Sequence, residues 1–345
     1  MQARPGLTYR AAGVDRDAAD RAKHRIIELM QGTATAGALS QPGGFGGLFR
    51  VPTGYASPVL VASADGVGTK LKVAVRAGRH DTVGVDIVNH CVNDILVEGA
   101  RPLFFLDYIG MGRLDAATVE QIVEGVSAAC LANECALIGG ETAELPDLYA
   151  PGEYDLAGFV VGVVEEQARP GPQRVRAGDR LIALASAGFH TNGYSLLRRI
   201  IFDELGLGTD DEYPGTGHAV AETLLRPHRS YRNAVLPLIE DGAIHALAHI
   251  TGGGIPDNLE RVLPDGAVAI IERASWTPPP EFAFIMEAGR VERTEMEHTF
   301  NMGVGMIAIV AAEREGEVLT RLSNAGEHAW TLGRIEAGTR GVVLR

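Results

Sequence analysis

Cysteine is scarce in this chain: Cys91, Cys130 and Cys135 are the only three in 345 residues, and none forms a CxxC pair. An odd, sparse set builds no disulfide framework and no metal knuckle, and it suits buried thiols in a reducing compartment. Aromatic residues are few as well, at 6%, and the two tryptophans, Trp276 and Trp330, read as packing residues rather than base-stacking platforms. Positive charge is outnumbered, with 31 Lys and Arg against 44 Asp and Glu, for a formal net charge of −13. That balance argues against nucleic acid or an anionic membrane surface as a partner. A small anionic ligand held by local amides and a metal ion is still accommodated. No uninterrupted apolar run reaches the length of a membrane span. Met1–Tyr9 also lacks the apolar stretch of a signal peptide, so a cytoplasmic location is expected.

What the sequence has in quantity is glycine, 43 residues, and an ordinary globular share of hydrophobic residues, 46%. The length predicts two domains. The break Arg169–Pro170–Gly171–Pro172 divides the chain into 1–168 and 174–345. Asp17–Met30 reads as a helix, and the glycine-rich stretch Gln41–Gly47 as a loop, either a plain linker or a segment that brings backbone close to a ligand. Strands are expected at 58–63, 102–106, 135–138 and 156–164, with helices at Thr82–Glu98 and Ala116–Ala132. The second half restarts with strand 180–186, a helix at 194–205, strand 245–249 and a helix at 256–262. Strands 267–271 and 302–311 and a helix at 313–324 follow. Strands alternating with helices indicate α/β or α+β domains with mixed sheets.

Five clusters carry candidate chemistry. In Asp65–Gly66–Val67–Gly68–Thr69–Lys70, exposed amides, a hydroxyl, a cation and a magnesium-binding carboxylate follow an apolar strand. This is not a Walker A loop, and a tight turn with a solvated lysine is the bland alternative. Asp86, His90 and Asp94 fall at i, i+4 and i+8, along one face of an otherwise apolar helix, where buried carboxylates need a partner or a metal. Gly139–Gly140–Glu141–Thr142 reads as a strand end with a ligand-binding carboxylate. His190–Thr191–Asn192–Gly193 offers a proton carrier or a helix cap. Thr251–Gly252–Gly253–Gly254 before a helix has the composition of an anion cradle. His218, His228 and His298 read as surface or packing residues.

In this order the motifs resemble the phosphoribosylformylglycinamidine cyclo-ligase (aminoimidazole ribonucleotide synthetase) family over nearly the whole chain. The likeness begins at Tyr9–Asp15 and includes the Gly43–Gly44–Phe45–Gly46 loop, Asp65–Lys70 and Gly139–Glu144. It continues through Asn93–Pro102, His190–Ser195, His249–Gly254 and Thr299–Met306. Phe189 stands where some relatives have proline, and Met302 where cysteine is expected. The resemblance implies ATP-dependent ring closure of formylglycinamidine ribonucleotide, a small phosphoribosyl substrate, to aminoimidazole ribonucleotide, ADP and phosphate. It implies a two-domain fold in which the N-terminal sheets of a homodimer pair into a barrel, with the glycine-rich arm as a mobile lid over ATP.

By the same resemblance, Asp65, Asp94 and Glu141 would hold Mg2+, and Lys70, His190 and Asn192 would act in catalysis. Gly43, Gly44, Phe45, Gly66, Gly68, Thr69, Lys70, Asp94 and Gly99 would contact ATP. Gly140, Glu141, Thr142, Gly252, Gly253 and Gly254 would bind substrate or phosphate. Two alternatives stay open: another ATP-using member of the same superfamily, and a catalytically silent nucleotide-binding scaffold. Against selenophosphate synthetase, no cysteine precedes Cys91.

Overall fold

The computed structural model describes residues 16–39, 44 and 46–345. The first half comprises α1 (Arg16–Gly32), β1 (Pro58–Gly66), α2 (Lys70–Ala77), α3 (Asp81–Val97), β2 (Arg101–Met111), α4 (Ala116–Ala132), β3 (Ala136–Glu144) and β4 (Tyr154–Glu165). Its strands form one sheet in the order β1-β4-β2-β3. Only the β2–β3 pair is parallel, as the α4 crossover between them requires.

α3 and α4 lie on one face of this sheet and bury its core side chains, among them Ile87, Phe105, Ile122 and Val160. The two helices approach closely because glycines face each other. A Cβ at Gly84 would stand 2.1 Å from the Ile122 carbonyl oxygen, and one at Gly125 would stand 1.9 Å from that of Asp81. Asp115 caps α4 by accepting from the Thr118 N–H at 3.0 Å. α3 stops at Gly99, whose φ of 81° suits the left-handed turn after a helix. The amides of Gly99 and Ala100 close that turn onto Leu96 and Ile95. The opposite face of the sheet is open, with Leu60 and Phe159 at 60% and 46% exposure.

The second half comprises β5 (Arg180–Ala185), α5 (Tyr194–Arg198), β6 (Glu212–Tyr213), β7 (His218–Ala219), α6 (Val220–Leu224), α7 (Arg232–Glu240), β8 (Ala246–His249) and α8 (Gly254–Glu260). It continues with β9 (Ala267–Ile271), α9 (Pro280–Ala288), α10 (Arg293–Thr299), β10 (Val304–Val310), α11 (Glu315–Asn324), β11 (Ala329–Ala337) and β12 (Gly341–Leu344). The sheet order is β12-β9-β11-β5-β10-β8. α7 and α11 cover one face, and α8 covers the other.

The mixed sheets match the expected fold class. Several boundaries differ from expectation. β1 continues through Asp65 and Gly66 instead of turning at Ala64, and Lys70 opens a helix. β3 continues through Gly139, Gly140 and Glu141 because it stays paired with β2 as far as Met111. The helix expected over 194–205 becomes a π-helix after Arg198.

The halves share apolar packing. Phe189, Tyr194, Leu197 and Phe282 belong to the same buried cluster as Val73 and Ile87. α3 meets both sheets, because its Leu96 also belongs to a buried cluster with Ile182, Leu184 and Leu247 of the second sheet.

Candidate active site

At the end of β1, Asp65 turns toward α3. Its Oδ1 accepts from the Gly66 N–H at 2.7 Å, and its Oδ2 stands 2.8 Å from His90 Nε2. One turn further along α3, Asp94 Oδ2 lies 3.9 Å from the same nitrogen and accepts from the Ser63 hydroxyl at 3.0 Å. Its Oδ1 meets Nδ1 of His249, the last residue of β8, at 2.8 Å. Asp65 and Asp94 therefore come together from separate elements, and both side chains remain partly open, at 40% and 30% exposure.

Behind them lies a buried row of histidines. His90 Nδ1 meets the Thr191 hydroxyl at 2.9 Å, and that oxygen is 3.4 Å from His228 Nδ1. His228 Nε2 is 3.0 Å from His249 Nε2, and the His190 ring stacks on His228 with centroids 3.9 Å apart. A Gly305 side chain would collide with the Tyr231 hydroxyl and the His190 ring, so glycine there makes the stack possible.

The electrostatics follow from this placement. Burial opposes ionisation of Asp65 and Asp94, but hydrogen bonds from His90 and His249 outweigh it, holding both carboxyls below their ordinary range. Burial also opposes the charge on His90, yet the two carboxylates draw its pKa upward. Burial drives His190 and His228 well below the ordinary histidine value, and His249 is lowered for the same reason.

Other expected residues stand elsewhere. Lys70 does not reach a phosphate: it is fully buried, and its Nζ donates to Asp86 Oδ1 at 2.9 Å, the His190 carbonyl at 3.0 Å and the Arg226 carbonyl at 2.9 Å. An ammonium has three protons, and all are committed. The His190 side chain is likewise not open to a ligand. It is 1% exposed, its Nε2 accepts from the Ala187 N–H, and its backbone holds φ at 60°.

Gly99 terminates α3 beneath Pro170, where a Cβ would meet that ring at 2.7 Å, so its place is explained by chain path rather than ligand contact. Glu141 pairs with Tyr108 on the sheet edge, in the row Gly66–Ala157–Tyr108–Glu141. Three strand spacings put it roughly 14 Å from the β1 end within this chain, so it does not join Asp65 and Asp94 here. Gly66 and Gly68 flank the β1 turn, and the Thr69 hydroxyl lies 3.2 Å from that of Ser195. Gly43 and Phe45 lie outside the described residues.

Two cavities open on the surface, and Asp94 lines the first of them. One of about 550 Å³ is lined by Asp94, Glu98, Arg169, His249, Thr251 and Arg261. Next to Thr251 in the chain, Gly252 lies beside Asn192, whose Oδ1 is 3.3 Å from where a Cβ would be. Asn258 Nδ2 holds the carbonyls of Gly252 and Gly254. The Gly254 N–H is bonded to the Thr251 carbonyl, and Gly254 is packed against the Glu297 carbonyl, so Gly254 does not present its amide to a ligand. The other cavity, of about 670 Å³, brings Gly44 to Gly140, Glu141 and Thr142, with Ile26 and Asp107 in its wall.

Sequence reasoning missed His228 and His249. His228 was expected at the surface or in packing, and it is buried, 1% exposed, within the histidine row. The only available signal was the placement of His249 two residues before Thr251–Gly254.

Comparisons with known proteins identify the family and the fold. Residues 47–164 match the family described as AIR synthase related protein, N-terminal domain, and residues 176–344 match its C-terminal domain. The phosphoribosylformylglycinamidine cyclo-ligase of Geotalea uraniireducens is 48% identical over 98% of both chains. That of Geobacter metallireducens is 50% identical over 98% of this chain and 99% of its own. Among solved structures, thiamine-monophosphate kinase from Stenotrophomonas maltophilia superposes with a TM-score of 0.70 at 19% identity, covering 94% of each chain. Hydrogenase maturation protein HypE in complex with ATP superposes with a TM-score of 0.65 at 19% identity, covering 93% of this chain and 90% of its own. At such identities the structural likenesses speak to fold alone.

Proposed function

The chain belongs to the phosphoribosylformylglycinamidine cyclo-ligase family, and from that premise we infer that it closes the imidazole ring of formylglycinamidine ribonucleotide in de novo purine synthesis. ATP is consumed, and aminoimidazole ribonucleotide, ADP and phosphate are released. The observation that carries this reading is identity of about one residue in two, over nearly the whole length, with relatives so named. The formyl amide oxygen takes the γ-phosphoryl group and becomes part of a phosphate leaving group. The amidine nitrogen of the same molecule then attacks that carbon, the C–N bond forms, and phosphate departs with the oxygen. Because attack is intramolecular, holding the two ends together supplies much of the rate.

Asp65 and Asp94 fit a divalent ion: they present oxygens from two elements, are partly open, and have histidine rather than lysine or arginine partners. Bound Mg2+ would neutralise charge on the transferring phosphoryl group. Gly252, Gly253 and Asn192, with Arg261 across the cavity, suit an anionic group of the reactants. The larger cavity, with Gly44, Gly140 and Thr142, is assigned to nucleotide. A homodimer joined through the open sheet face would cover Leu60 and Phe159, and sedimentation analysis of the Phe159→Lys variant tests it: that variant should be monomeric. A cytoplasmic setting fits the three free, buried cysteines.

The deciding measurement is ADP release with formylglycinamidine ribonucleotide, ATP and Mg2+, with mass analysis of the nucleotide product. ADP formed only with substrate, together with a product lighter by one water, supports ring closure. ADP without ring closure points to another ATP-using enzyme of the same fold, and untouched ATP to a silent nucleotide-binding scaffold.

A further inference from the structure

The hydrogen-bond row behind the carboxylates has a direction fixed at one end. An ionised Asp94 can only accept, so His249 Nδ1 donates to it across 2.8 Å. A neutral His249 then accepts at Nε2, and His228 Nε2 must be the donor across their 3.0 Å contact. That leaves His228 Nδ1 to accept from the Thr191 hydroxyl at 3.4 Å. The Thr191 oxygen in turn accepts from His90 Nδ1 at 2.9 Å. Each contact is satisfied in this order, and the order ends with a bare lone pair on His90 Nε2. That nitrogen faces Asp65 Oδ2 at 2.8 Å and Asp94 Oδ2 at 3.9 Å. Acceptors set against one another in this way call for a positive charge between them, which a second proton on His90 Nε2 or a divalent ion supplies.

Distances agree with a shared ion. Cis donors around one octahedral divalent ion stand ~3.0 Å apart and trans donors ~4.2 Å apart. The two separations fall near these limits. The Thr191 hydroxyl on the other ring nitrogen is the kind of outer partner that fixes the tautomer of a metal-bound imidazole. His90, Asp94 and His249 present donor atoms within 4.8 Å of one another, but His249 has both nitrogens engaged and serves to orient Asp94.

We propose that His90 Nε2 is itself a ligand of the divalent ion held by Asp65 and Asp94, making the site a mixed nitrogen–oxygen one. This rests on the reading of Asp65 and Asp94 as metal ligands. A nitrogen donor raises the preference for Mn2+ over Mg2+ relative to an all-oxygen site.

The test loads the full chain with Mn2+ in the absence of nucleotide, counts bound ion by electron paramagnetic resonance, and looks for 14N modulation of the electron spin echo. Imidazole modulation in the wild type, lost in His90→Gln and kept in His249→Gln, is the expected result. His90→Gln should also weaken Mn2+ binding by roughly 10–100-fold. Should His90→Gln fail to fold, modulation persisting in His249→Gln still points to His90. Bound Mn2+ without 14N modulation overturns the ligand role and leaves Asp65 and Asp94 standing. Modulation that survives in His90→Gln overturns it as well. Mn2+ binding no tighter than in Asp65→Asn or Asp94→Asn removes the metal reading and the His90 role together.

Discussion

Two of the three aspartates on α3, Asp86 and Asp94, lie eight residues apart and have opposite fates. Asp86 is sealed between the halves, facing Lys70 and the His228 amide, and neither it nor Lys70 touches solvent. Asp94 sits nearer the end of the helix, partly open, with a serine hydroxyl and a histidine for partners. Burial pulls the Lys70 pKa down and pushes the Asp86 pKa up, a sign of the desolvation that the pair must overcome. At Asp94 burial is outweighed, and the carboxylate stays charged in reach of a cavity. The residue type does not decide the role. What decides it is whether a permanent cation already occupies the site.

Breaking the open member should destroy activity and spare the fold. Asp94→Asn is expected to lower turnover by about 10³-fold, on the scale of losing a group that organises transition-state charge. Circular dichroism and the melting temperature should stay near wild type, with ADP release as the activity readout. Breaking the sealed member should do the reverse. Lys70→Met leaves the Asp86 charge buried and uncompensated, and should cost about 3–5 kcal/mol in urea unfolding. Lys70→Met combined with Asp86→Leu should recover part of that loss, although the His228 N–H then lacks its acceptor.

How much of this contrast the sequence disclosed follows from chain distance. The placement of Asp65 at the end of an apolar strand and of Asp94 along an apolar helix was legible, because both are local patterns. α4 was legible to the residue for the same reason. Lys70 was misread because its partner is 16 residues away in sequence and reaches it only when α2 packs on α3. Thr191, His228 and His249 come from three separate segments, so no spacing announces their row. Glu141 looked like a strand-end ligand because two glycines precede it, but pairing with β2 carries the strand past them. The last two strands, β11 and β12, lack a strong apolar alternation and went unassigned.

Asp107 extends the comparison to a carboxyl that has no ion pair among the described residues. It lies in the wall of the larger cavity, and burial pushes its pKa to about 7. Because the folded value lies above the unfolded one, the folded state holds the proton more tightly between pH ~4 and 7. Stability from this group is therefore complete at low pH and declines as pH rises to about 7. Asp107→Asn should stabilise the protein by ~2 kcal/mol at pH 8 and change little at pH 4, measured by urea unfolding at both values. The full shift would give ~4 kcal/mol, and partial solvent contact of the side chain reduces it.

The smallest effect is expected at Thr191, which touches neither carboxylate. Its hydroxyl joins His90 to His228, so it is the link between the open aspartates and the sealed interior. Thr191→Val keeps the shape and removes the link, leaving His90 Nδ1 and His228 Nδ1 without that partner. The cost in stability should be ~1 kcal/mol, the worth of one hydrogen bond. If the row only fills space, turnover should follow stability and Mn2+ affinity should not move. If it fixes the His90 ring, Mn2+ affinity should fall by about 10-fold, and Thr191→Ser should restore it while Thr191→Val does not. Equal affinity in both variants would separate Asp86 and Asp94 completely and leave the histidines as packing between them.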